Sequence, residues 1–69
     1  MDYEDHYQRY IESFNQIKEE QQDPDMAMNI SRRFFIAIVN HILKREISDS
    51  EKLTQIKAMN DAFSTSITA

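Results

Sequence analysis

Few side chains in this sequence titrate near neutral pH. There are two histidines, His6 and His41, and no cysteine to act as nucleophile, disulfide partner or soft metal ligand. His6 follows Asp2 by four residues, a spacing that puts both on one face of a helix. Two ligands of mixed type at a helix end fall short of a metal site, so a solvated or capping role is expected for His6. No metal or other cofactor is expected. His41 stands in an apolar stretch one turn before Arg45, as a hydrogen-bonded interface histidine would, and its burial there would make association pH-sensitive. Serine with histidine, and histidine with carboxylates, occur at no spacing that marks a catalytic constellation. The chain has no glycine, so it holds neither a phosphate-binding loop nor a dinucleotide fingerprint. A protein that is not an enzyme is expected.

Cations cluster at Arg32-Arg33 and at Lys44-Arg45 only. A nucleic-acid surface needs a concentrated positive face that releases counterions from phosphates, and a chain of net charge −4 is a poor candidate. Residues 46–49 resemble the turn of a helix-turn-helix in length, but the helix after them offers Lys52, Gln55 and Lys57 beside Glu51 and Asp61, a weak reading face. These cations are expected to be solvated or paired between subunits, with Arg32 placed to meet a carboxylate of an acidic first helix. The charge is uneven. Residues 1–25 hold eight acids against Arg9 and Lys18, and residues 26–69 hold four acids against six bases. The halves should attract each other within the fold or across a dimer, or the acidic half should form a face for a basic partner.

The elements that carry these residues are helices. With no glycine and one proline, tight hairpins have little support. Asp2 is a good cap for a first helix whose Tyr3, Tyr7, Tyr10, Phe14 and Ile17 recur at helical spacing, with Ile11 on the flank. This stripe is expected to pack on helix two. Three tyrosines in place of leucines put the seam near an edge where each hydroxyl finds water or a polar partner; the alternative is an aromatic binding surface. Asp23-Pro24 starts the second helix, because proline is pre-set for the first helical position and Asp23 caps it. Ser48 with Glu51 reads as a capping box for the third. In that helix Leu53, Ile56, Met59, Phe63 and Ile67 fall on one side, and the weak helix formers Ser64-Thr65-Ser66 predict fraying after Ser64.

The run from Phe34 to Leu43 dominates the hydrophobic content. On a helix from Met26 to Arg45 only Asn29, Arg33, Asn40 and Lys44 form a polar stripe, and about 260° of the circumference is mainly apolar. Met26 and Met28 beside Phe34 and Phe35 would also suit an adaptable protein-binding groove. A 69-residue domain is marginal alone, and a partner subunit is the usual remedy.

The expected architecture is all-α: a single domain over residues 1–69, a small three-helix bundle based on an αα-hairpin, with helices at about 3–21, 24–45 and 49–65. Helix two is central and homodimerisation completes the bundle. The dimer or partner interface is expected at Phe35, Val39, Ile42 and Leu43 with Arg32 and His41, while Phe34 and Ile38 point inward. Tyr3, Tyr7 and Tyr10 form the secondary aromatic surface. No run is long enough to span a membrane, and the acidic N-terminus is unlike a signal peptide, so a cytoplasmic protein is expected. The expected function is stoichiometric binding to another protein by a small regulator or inhibitor, of the kind found among bacterial or phage accessory proteins. Alternatives are a nucleic-acid-associated regulator using Arg32, Arg33, Lys44 and Arg45, and an acidic nucleic-acid mimic.

Overall fold

The structure, a computed structural model, describes residues 2–68. It is a three-helix, all-α bundle: α1 spans Tyr3–Glu20, α2 Pro24–Lys44 and α3 Asp49–Thr68. The starts follow local chemistry. The Asp5 amide donates to the Asp2 side chain at 3.1 Å, the Asp25 amide to Asp23 Oδ1 at 3.0 Å and the Glu51 amide to Ser48 Oγ at 3.1 Å. Each satisfies a helix N–H that has no partner within its own helix. The capping box is half made, however. Glu51 turns its carboxylate to His6 and Gln55 instead of back to the Ser48 backbone.

The core differs from the expectation that helix two is central. The buried cluster joins Tyr10 and Phe14 of α1 to Ala58, Met59 and Ala62 of α3. The most extensive packing is therefore between α1 and α3, and the tyrosine stripe meets α3 more than α2. The reason is steric. Alanines at 58 and 62, one turn apart, let the α1 aromatics approach the α3 backbone closely. α2 lies over the result. The Phe34 ring meets Phe14 edge-on at 5.4 Å between centroids, and Phe35 meets Phe63 at 5.1 Å. The edge-on pair has a favoured aromatic geometry, and the second pair is tilted at 34°.

Two further corrections concern α3. Its buried face is Gln55, Ala58, Met59, Ala62 and Ser66, centred about 100° from the middle of the apolar arc that the sequence pattern singles out; the two share Met59, and Phe63 packs at the border of the core. Leu53 is 68% exposed and Ile67 also faces outward. The helix also continues past Ser64, to Thr68. Ser66 is buried, its carbonyl accepts from Lys18 Nζ, and Thr68 Oγ1 donates to the Ser64 carbonyl at 2.9 Å. Tertiary contact here outweighs weak propensity.

Phe14 is fully buried, and Phe14→Ala should cost about 3–5 kcal/mol. That approaches the whole stability of a chain this size, about 3–10 kcal/mol. Leu53→Ala should change stability by less than about 0.5 kcal/mol, although the sequence pattern puts Leu53 in the core. Urea midpoints of the two variants check the assignment of the α3 face.

Candidate functional site

The polar stripe of α2 is where its spacing puts it: Asn29, Arg33, Asn40 and Lys44 are all exposed. The buried and half-buried residues of α2 cover about half its circumference, less than the apolar arc implied. Ile42, expected in the interface, is 1% exposed and belongs to the chain's own interior. Phe35 and Val39 are half-buried against the α1–α3 core, as are the expected inward residues Phe34 and Ile38. The core takes both flanks because α1 and α3 already touch and present one wide surface to α2. Ile36 and Leu43 are left outside, at 54% and 53% exposure. Arg32 and His41 are also exposed, and Arg32 meets no carboxylate of the first helix among the described residues.

The outward face therefore carries Arg32, Ile36 and Leu43, with the half-buried Val39 at its edge, and the four follow one another at spacings of 4, 3 and 4. That is the stagger with which one helix offers a seam to another. Arg32, Val39 and Leu43 belong to the interface that the sequence suggested, whereas Ile36 was not singled out. Its signal was present in the seven-residue step from Ile36 to Leu43.

The tyrosine hydroxyls find partners on α3. Tyr3 donates to Asp61, and Tyr7 donates to Thr65 Oγ1 at 3.2 Å. Hydrogen bonding to Asp61, then burial, pushes the Tyr3 phenol up to about 12. Tyr3 and Tyr7 stack on each other at 6.0 Å, while Tyr10 is buried and stacks on His6. The aromatic surface is thus reduced to its first two members.

His6 is not solvated: it is 4% exposed, enclosed by α3. Its Nε2 lies 3.1 Å from Glu51 Oε1, the Gln55 amide donates to the same oxygen at 3.0 Å, and Arg45 donates to Gln55 Oε1 at 3.4 Å. This chain links the beginning of α1, the beginning of α3 and the end of α2. Sequence reasoning missed Gln55, although its position four residues after Glu51 is the spacing for such a pair. Hydrogen bonds from Gln55 and then from His6 hold the Glu51 carboxyl below its ordinary value of 4.5.

Two clefts flank the core. One, of about 230 Å³, lies near the end of α2, between Arg9 and Tyr10 of α1, Phe34 and His41 of α2, and Gln55 of α3. The other, of about 350 Å³, lies near the beginning of α2, lined by Lys18, Met28, Ser31, Ser66 and Ile67 among others. Among the described residues no group of three potential ligands is placed to hold a metal ion, and no helix is long and apolar enough to cross a membrane. Comparison of the chain with protein-family models, curated proteins and solved structures gives no match.

The lowered pKa of Glu51 fixes the sign of a pH effect. Its ionised form is favoured by folding, so its contribution is present above the ordinary carboxylate value and lost as pH falls through the lowered one. Between about pH 6 and pH 3 the urea midpoint of Glu51→Gln should fall less than that of the unaltered protein. Equal falls in the two proteins would remove Glu51 from the acid response.

Proposed function

We propose that this protein is a small, non-enzymatic regulator that acts by stoichiometric binding to another protein and pairs with a second copy of itself through the outward face of α2. The observation that carries the reading is the exposure of Ile36 and Leu43 on one line of that helix, with Arg32 one turn before Ile36 and the half-buried Val39 between the two. Two large apolar side chains at helical seam spacing lose water contact when another helix lies along them, and each is worth about 1.5–3 kcal/mol when fully buried. The arginines at 32 and 33 flank the seam and supply the charged rim that sets orientation and partner choice. Short dimensions favour this class of function as well. A bundle of 69 residues gains from a partner what it lacks in internal burial.

Sedimentation velocity across the micromolar range tests the self-association. The unaltered protein should shift from monomer to dimer with concentration. Ile36→Asp and Leu43→Asp should remain monomeric with helical circular dichroism intact, because both positions lie outside the chain's own core. A folded monomer at every concentration would remove the dimer from the proposal. Affinity capture from the native host, run in parallel with the unaltered protein and Ile36→Asp, tests the partner. A partner retained equally by both does not use this face.

Arg32, Arg33, Lys44 and Arg45 are all exposed along α2 and its end, which favours nucleic acid as a second reading. Binding of that kind would appear as a mobility shift that weakens steeply with salt. No shift at low salt disposes of it.

A further inference from the structure

Charge on this chain is segregated by helix. Residues 26–45, which are α2 beyond its first two residues together with its C-cap, hold Arg32, Arg33, Lys44 and Arg45 and no aspartate or glutamate. The rest of the chain sets twelve acids against four lysines and arginines. All four cations of this stretch are exposed, and Arg32, Arg33 and Lys44 make no ion pair among the described residues. Arg45 donates to the neutral Gln55 side chain. The end of the helix gains a further ammonium, because Lys52 Nζ donates to the Leu43 carbonyl at 3.1 Å. The one acid of α2, Asp25, stands in its first turn, where the helix dipole favours it.

These cations frame the apolar line. At 100° per residue Arg32 falls about 40° to one side of Ile36, and Arg33 and Lys44 fall about 60° and 80° to the other. Leu43 comes two turns after Ile36 and about 20° from it. Both are more than half exposed. A helix laid along this line covers two large apolar side chains and meets positive charge on both flanks, over about 18 Å from Arg32 to Lys44.

A second copy of the chain satisfies the apolar line but not the flanks. Two parallel α2 helices set Arg32-Arg33 against the same pair. Antiparallel, with Ile36 opposite Leu43, they bring Arg32-Arg33 near the end that carries Lys44 and Arg45 beside Glu46. Like charges facing each other across an interface disfavour that pairing and leave room for a better-matched partner. Duplex nucleic acid offers Ile36 and Leu43 nothing apolar along its phosphates. An anionic membrane extends well beyond one helix, and the surface outside α2 is acidic.

We infer that the protein partner presents an acidic amphipathic helix to this face, with its apolar residues on Ile36 and Leu43 and its carboxylates beside Arg32, Arg33 and Lys44. It takes the place of any second copy there. The inference rests on the reading that the outward face of α2 takes a protein partner, and it names the chemistry of that partner. Helix-in-groove recognition of this kind draws affinity from the apolar anchors and selects its partner by charge.

Three labelled synthetic peptides of about three heptads test it by fluorescence anisotropy against the full-length protein. One has leucine at a and d and glutamate at e and g, one has lysine in place of the glutamates, and one has serine in place of the leucines. The first should bind at least about tenfold more tightly than either of the others, and lose about fivefold or more in affinity between roughly 0.05 and 0.5 M salt. Arg33→Glu combined with Lys44→Glu, both at exposed positions, should weaken the glutamate peptide by about tenfold or more and strengthen the lysine peptide. Ile36→Ser, outside the chain's own core, is a second check if the double variant is poorly folded, and should weaken the glutamate peptide by about threefold or more. Equal affinity for the lysine peptide, no binding of the glutamate peptide, or unchanged affinity in a folded variant would overturn the inference. So would tighter binding to duplex DNA or to phosphatidylserine-containing vesicles in the same buffer. Sedimentation velocity separates this result from self-association. A dimer that the glutamate peptide neither binds nor splits overturns the inference and leaves the dimer standing, whereas a monomer that binds the peptide removes the dimer and supports the acidic partner.

Discussion

The close approach of α1 to α3 is the contact on which the rest of the molecule depends. Phe14, Met59, Ala58 and Ala62 are all sealed from solvent, and the two alanines create the room that the phenylalanine fills. Protein interiors tolerate few voids, so aromatic bulk on one helix requires small residues on its neighbour. Once these two helices meet, their combined surface is wide enough to receive both flanks of α2. The position of Phe34 against Phe14, and of Phe35 against Phe63, follows from that width.

α2 is accordingly a cover, and its surplus apolar content divides into two parts. Most of it is absorbed by the α1–α3 surface, including Ile42, while Ile36 and Leu43 remain in water beside a row of amides and cations. An exposed apolar residue taken singly is ordinary on a protein surface. Two on one line of a helix, at the spacing another helix presents, make a more specific arrangement, and it is that arrangement rather than the total hydrophobicity that supports a protein-binding role.

The polar interior at the other side of the core has a consistent logic. His6 and Gln55 would each be costly to bury alone, and hydrogen bonds to the partly exposed Glu51 carboxylate make the three a strut between helix ends. The strut holds Arg45 at the border of a cleft that has no carboxylate. Glu51 thus exchanges half of a local capping role for a tertiary one, which connects the start of α3 to the chemistry available at the end of α2.

By itself the sequence determined the three helices and their beginnings, because Asp2, Asp23-Pro24 and Ser48 act through backbone groups a few residues away. It also determined the polar stripe of α2, since Asn29, Arg33, Asn40 and Lys44 are set by helical periodicity alone. The stripe of α1 from Tyr3 to Ile17 is likewise the face that α1 buries, whereas the buried face of α3 and the extent to which α2 is covered were decided only by tertiary structure. Spacing favours large residues, and so points to Leu53 and Ile67 on α3, but the core selected Ala58 and Ala62 because what limits two packed helices is how closely their backbones approach. For the same reason α3 rather than α2 became the partner of the tyrosine helix, and Ser66, a weak helix former near the chain end, was held in a helix by contact with α1. The burial of His6 and the gathering of Arg9, His41 and Arg45 around one cleft join residues up to 45 positions apart. No local rule relates such residues, because their proximity is a property of the folded chain.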